Sequence, residues 1–371
     1  MSGLEANLPD KLGDLKLESG SEEYLTYKLG DFKLDSGEVL PDAHIAYKTI
    51  GDPKNPAIIY PTWFSGSISD NLWLVSTAHE GLNPLKYFII IPAIFGNGQS
   101  TSPSNTPSLR FSFPAISVAD NVRAQYALVT THLGIKHARA VLGWSMGAAQ
   151  SYQWAVSYPD FMDVIVPFCG AAKTALHNSV FLEGEKTALA AARGWKSAGV
   201  GKGVVCGEEK INAWTEEQKD AGLRAFGRGY AGWGFSQAFY REKYHEKYYG
   251  AKDLDQFLVT FWEKWALSKD PDNLIIMLQT WQLGDISADP KFGGDLPAAL
   301  RSIKAKCLVM PSKTDLYFPP EDSKFEVENM APGVGTFLEF PSIWGHWAGA
   351  GDSKEDVKFL DEAIAKFLKE N

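Results

Sequence analysis

With 371 residues, 45% of them hydrophobic and 22% charged, the chain has room for one large domain or for a core with an inserted subdomain, and its composition is that of an ordinary globular protein. The formal net charge of −9 gives nucleic acid no electrostatic footprint, and no run nears the ~18 consecutive apolar residues of a membrane span. The three cysteines, Cys169, Cys206 and Cys307, lie far apart without zinc spacing, so no metal is expected and a reduced, cytoplasmic setting is.

Residues 1–23 are polar and mixed in charge, with neither the basic nor the apolar region of a secretory signal. Residues 24–35 and 39–50 alternate polar and apolar around Asp35-Ser36-Gly37-Glu38, which predicts a hairpin. Short apolar runs at 57–61, 88–92, 138–143, 163–167, 307–311 and 336–340 read as buried parallel strands. Between them, Val122, Tyr126, Val129 and Leu133 share one face of a helix over 118–133. A second helix is expected over 146–158 and a last one over 353–369, with Val357, Leu360, Ile364 and Phe367 facing inward. Alternating strands and helices imply a parallel sheet covered on both faces. The alternation stops between 172 and 297, a mostly helical stretch rich in Trp and Gly, and resumes afterwards. That interruption predicts a helical cap inserted into a core formed by 24–171 and 298–371.

Gly143-Trp144-Ser145-Met146-Gly147 falls between a strand run and a helix pattern. A serine on such a strained turn is held above the edge of the sheet, and a glycine two residues to either side leaves room for the turn. A serine hydroxyl becomes a nucleophile when a base takes its proton and a carboxylate orients that base. Three histidines follow it: His177, His245 and His346. The first two lie among polar residues of the insertion and are expected at the surface. His346, in Trp344-Gly345-His346-Trp347, follows the final strand and is the candidate base. Asp315 follows the strand at 307–311 and is the candidate acid; Asp285, Asp289 and Asp295 are rivals that precede that strand. An oxyanion needs two backbone donors. Met146 supplies one, and Phe64, with Trp63 as the alternative, the other, from the loop at 60–66. Gly96-Asn97-Gly98 lacks the third glycine and the acidic partner of a dinucleotide site and reads as a loop at the sheet edge.

The loop at 62–66, the pentapeptide with Gln150, the Leu133-Gly134-Ile135 helix end and Asp315-Leu316-Tyr317-Phe318-Pro319-Pro320 together resemble the homoserine O-acetyltransferase family of the α/β-hydrolase superfamily. The likeness runs from about residue 24 to the C-terminus. It implies an α/β-hydrolase fold (a mostly parallel sheet flanked by helices, with an inserted helical cap), a Ser145–His346–Asp315 triad, no cofactor, and a homodimer formed through the cap. An acyl-CoA is admitted as a cosubstrate. The family places an aspartate directly after the catalytic histidine to hold the homoserine amine, and that position is Trp347 here. It also sets an arginine and, seven residues on, a tyrosine around the substrate carboxylate; the matching residues are Arg228 and Phe235.

With Trp63 and Trp144, these residues form the expected substrate-binding set. They suit an ester or thioester more apolar than homoserine, because a buried ammonium without a partner is costly. The expected reaction is serine-dependent acyl transfer through a covalent acyl-enzyme, to water or to an alcohol. Acetyl-CoA-dependent acetylation of homoserine or a similar alcohol, and non-catalytic ligand binding on the same fold, are the alternatives.

Overall fold

The computed structural model describes residues 23–205 and 213–371. The readings made for residues 1–22 and for Cys206 lie outside them. The hairpin forms as expected from strands β1 (Leu25–Lys33) and β2 (Val39–Ile50). Its turn closes with Leu34 N donating to Glu38 O, and Gly37 takes φ 89° there. After β3 (Ala57–Ile59), β4 (Phe88–Pro92), β5 (Ala138–Trp144) and β6 (Met162–Phe168), the chain leaves the sheet.

In the excursion, the only strand pairing among the described residues is a two-residue ladder between β7 (Lys196–Ser197) and β8 (Val204–Val205). It is too short to leave an alternating pattern in the sequence. The sheet resumes with β9 (Lys306–Val309) and ends with β10 (Gly335–Phe337). Its order is β1-β2-β4-β3-β5-β6-β9-β10, antiparallel as far as the β2–β4 pair and parallel from there on.

Side chains of the central strands alternate between two cores, as the period of 2 requires. Ile58, Ile89, Leu142, Val166 and Leu308 pack on one face, with Leu360 and Ile364 of the C-terminal helix. Ile59, Ile90, Val141, Ile165 and Val309 pack on the other, against Tyr152 and Trp154. Burying each large apolar side chain contributes about 1.5–3 kcal/mol, which is why these runs carry almost no polar residue.

The helix expected over 118–133 is two pieces. Helix α1 (Val118–Ala127) starts at a Ser117–Asp120 capping box, and a wider turn, Leu128–His132, finishes it, with Leu133 N bonded to Leu128 O. Helix α2 (Met146–Ser157) follows β5 directly.

Between β6 and β9 lie α3 (Leu176–Ala192), α4 (Glu216–Gly234), a run of short helical turns from Gln237 to Leu267, and a helix over Pro271–Gln282. Residues 286–297, the end of the stretch read as cap, pack on the core instead: Ile286 joins the cluster behind β3 and β5, and Phe292 and Leu296 lie against it. His245, expected at the surface, is 6% exposed. Its ring lies 5.7 Å from Phe257 and 6.1 Å from Tyr240, aromatic neighbours that its polar sequence context conceals. Among the described residues no helix is long and apolar enough to cross a membrane.

Candidate active site

The C-terminal ends of β3, β5, β9 and β10 point to one edge of the sheet, where open α/β sheets gather their ligands. Ser145 stands between β5 and α2 with φ 58° and ψ −123°. A non-glycine residue held there stores about 1–3 kcal/mol of strain. A Cβ on Gly143 would lie 2.4 Å from the Gly147 carbonyl carbon, and a Cβ on Gly147 would lie 3.1 Å from Pro61 O. The two glycines therefore let the strand, the helix and the 60–66 loop converge on the serine.

Three side chains from distant segments meet at this point. His346 Nε2 is 3.0 Å from Ser145 Oγ, and Nδ1 is 2.8 Å from Asp315 Oδ2. A carboxylate can only accept, so it assigns the proton to Nδ1 and leaves Nε2 free to accept from the hydroxyl. Asp315 Oδ1 accepts from the amides of Tyr317 (2.8 Å) and Phe318 (3.1 Å). Thr314 Oγ1 donates to Ser342 O and accepts from Gly345 N, which ties the aspartate loop to the histidine loop. Ser145, Asp315 and His346 are 2%, 4% and 3% exposed, so their attraction acts with little screening by water. Nearby Cys169 is buried, and desolvation holds its thiol protonated well above the ordinary range.

The 60–66 loop is fastened from several sides. Asn71 Nδ2 donates to the carbonyls of Tyr60 and Pro61, and Asn97 Nδ2 to that of Gly66. Lys269 Nζ reaches Ser65 O at 2.9 Å. Gln150 Nε2 donates to both Thr62 O (2.8 Å) and Met146 O (3.0 Å), bracing the loop against the first turn of α2. Met146 opens that helix, so its amide has no intrahelical acceptor. The positive end of the helix dipole faces the same place.

Beside Ser145 and Met146 is a small cavity, with about 10 Å³ open to the centre of a water-sized sphere, enough for roughly one water. Val118, Ala149, Ala171 and Phe318 line it from the core segments, and Thr174, Trp281 and Gly284 from the inserted stretch. Its wall is almost entirely apolar. The rings of Trp281 and Phe318 stack at 5.7 Å and 19° and set its size.

None of the five residues expected to bind substrate lines this cavity. Trp144 lies under the histidine: its indole stacks on the imidazole at 4.8 Å and 24°, and its Nε1 donates to His346 O at 3.2 Å. Trp63 packs edge-on against Trp144 at 4.6 Å. Arg228 is engaged at the surface by Glu263 and Asp255, with its side chain 44% exposed. Phe235 and Trp347 are buried together, 5.1 Å apart, in a cluster with Trp262. Sequence reasoning missed Trp281 and Thr174, which sit in cap segments without any motif. Phe318, which lines the cavity, lies in the Asp315-to-Pro320 stretch that carries the family resemblance.

A family profile described as alpha/beta hydrolase fold matches residues 68–347. An ethyl acetate hydrolase of Pseudomonas veronii is 33% identical over 317 residues, 85% of this chain and 86% of that protein. A homoserine O-acetyltransferase of Symbiobacterium thermophilum is 26% identical over 351 residues, covering 89% and 82%. The crystal structure of an acetylester hydrolase from Corynebacterium glutamicum superposes with a TM-score of 0.82 at 32% identity, over 94% of this chain and 96% of that one. The chain belongs to the alpha/beta hydrolase fold family. It is a serine hydrolase or acyltransferase that is more similar to the esterases named than to the homoserine O-acetyltransferase.

Proposed function

We propose that this enzyme hydrolyses small carboxylic esters, acetate esters foremost. The observation that carries this reading is the buried Ser145–His346–Asp315 chain opening on a small apolar cavity at the start of α2. Ser145 Oγ attacks the ester carbonyl while His346 Nε2 takes its proton. Asp315 keeps Nδ1 protonated and stabilises the imidazolium. The amides of Met146 and Phe64 receive the oxyanion. The imidazolium then gives its proton to the leaving alkoxide, which departs as the alcohol and leaves the acyl group on Ser145. Water, deprotonated by the same imidazole, attacks the acyl-enzyme, and collapse returns the serine and releases the acid.

Every group needed is supplied by the chain, so the reaction runs without a metal or an organic cofactor. Incubation with p-nitrophenyl acetate is expected to give a mass shift of one acetyl group on Ser145 and to release p-nitrophenol. Folded protein that does neither would refute the reading.

Homoserine is a poor fit. Trp347 offers no carboxylate to an ammonium, and Arg228 is already paired with Glu263. No acetylhomoserine is expected from acetyl-CoA and homoserine, and efficient formation would overturn this substrate assignment. The exposure of Leu176 (88%) and Val180 (69%), one turn apart on α3, supports a homodimer through the cap. Sedimentation of Val180→Glu as a monomer beside a dimeric wild type is the expected result. The free, buried thiols of Cys169 and Cys307 support a reducing, cytoplasmic setting.

A further inference from the structure

Helix α3 turns an unusual face to the core. Asn178, Phe181 and Glu185, spaced i, i+3, i+7, lie along one side of it and are 2%, 5% and 5% exposed. Both polar atoms of the Asn178 amide and Oε2 of Glu185 are buried without a hydrogen-bond partner among the described residues, and the buried hydroxyl of Tyr317 faces the phenol of Tyr230. Leaving such an atom unpaired costs about 1–3 kcal/mol. A fold that holds this many along one seam has set them out for something absent from the chain itself.

The seam adjoins the catalytic groups. The Phe181 ring is 5.0 Å from Tyr317 and 5.3 Å from Tyr230. Tyr317 stands edge-on to the His346 imidazole at 4.8 Å. Phe318 and Thr174, each close in sequence to a member of the seam, line the cavity beside Ser145. A Cβ on Gly229 of α4 would fall 2.4 Å from Glu185 Oε1, so the glycine leaves the carboxyl room to lie against α4.

The charge state narrows the ligand. Burial pushes the Glu185 carboxyl up to about 9, so it is a neutral O–H donor near pH 7. Burial likewise holds the Tyr230 and Tyr317 phenols well above their ordinary range. The seam therefore presents uncharged donors and acceptors between aromatic walls. A carboxylate or phosphate would find no cation there. Hydroxyl, ether or carbonyl groups would find partners on every side.

We propose that Glu185, Tyr317 and Asn178 form the subsite for the alcohol portion of the substrate, and that this portion is uncharged and carries at least one hydroxyl or carbonyl group. The assignment rests on the esterase reading and names the substrate class that reading leaves open. Small alkyl acetates are then turned over without using the seam, whereas monoesters of a diol or triol engage it.

The test compares two acetates that form the same acyl-enzyme, ethyl acetate and glycerol monoacetate, with full-length protein. Wild type should show a lower KM for glycerol monoacetate. Glu185→Leu should lower the ratio of kcat/KM, glycerol monoacetate over ethyl acetate, about tenfold, mainly through KM, while Glu185→Gln keeps most of it. Glu185→Leu should also raise Tm, because it removes an unpaired buried carboxyl; a purely structural carboxyl would make Tm fall. Should that variant fail to fold, Asn178→Leu reads the same ratio.

A ratio within twofold of wild type, with both esters hydrolysed, overturns the subsite and leaves the esterase reading standing. Folded wild type that cleaves neither acetate nor p-nitrophenyl acetate overturns both.

Discussion

The two walls of the site are built on opposite plans. On the sheet side, hydrogen bonds fix nearly every reacting group. Asp315 is held by two amides, His346 by Asp315 and Trp144, and the 60–66 loop by Asn71, Gln150, Asn97 and Lys269. On the cap side, aromatic rings pack against one another. Phe181, Tyr230 and Trp281 touch Tyr317 of the aspartate loop through their rings, and Glu185 and Asn178 keep atoms without partners. Directional bonds preserve the geometry a reaction needs. Ring packing tolerates exchange at small cost. The contrast assigns chemistry to the first wall and choice of substrate to the second.

The sharpest way to break the comparison is at Ser145. Ser145→Ala should keep the fold and lower kcat by about 10⁴ or more; a folded variant with substantial turnover would remove the sheet side from the chemistry. Trp144→Phe removes the bond to His346 O but leaves a ring under the imidazole. We expect kcat to fall by about tenfold with little change in KM, the mark of a positioning residue. An equal effect carried by KM alone would place Trp144 with substrate instead.

On the cap side, Trp281→Leu should enlarge the cavity and shift kcat/KM from acetate toward butyrate esters several-fold, measured on p-nitrophenyl esters. An unchanged acyl preference would move selectivity elsewhere.

The smallest expected effect concerns Glu326, behind the site, which accepts from Tyr152 Oη and Ala172 N. Burial raises its carboxyl from 4.5 to about 7. The folded state thus binds that proton more tightly than the unfolded chain does. The contribution is complete below about pH 4.5 and is lost as pH rises through 7. Between pH 5 and 8 the Tm of wild type should fall a few degrees further than that of Glu326→Gln, followed by circular dichroism. Parallel curves would refute the shift.

The same contrast explains what could be read in the sequence. The sheet side depends on short-range patterns: a pentapeptide after an apolar run, a histidine after the last strand, an aspartate after the one before. Each of these residues takes its role from its position at a strand end, and strand ends are visible. The cap has no such grammar. Trp281 and Thr174 reach the cavity because helices cross there, and nothing in their neighbours foretells it.

Arg228, expected at the substrate, sits at the surface for a related reason. A spacing borrowed from a resembling helix cannot foresee that Glu263, 35 residues later, takes the guanidinium. Trp144 borders Ser145 in sequence, yet its indole lies under the His346 imidazole and does not line the cavity. Its real neighbour, the His346 loop, arrives from 202 residues away.

Gly345 gives the two walls a common hinge point. With φ 65° and no side chain, it lets the end of α4 lie against the histidine loop, where a Cβ would come within 2.6 Å of Ser236 N. Ser236 Oγ bonds Ile343 O across the same contact. A guest bulky enough to lever α4 away would drag on the backbone one and three residues before the imidazole, at Gly345 and Ile343, and spoil its aim at Ser145. Admission and reactivity are thus coupled mechanically: an oversized molecule that forces its way in disarms the base that would have cleaved it.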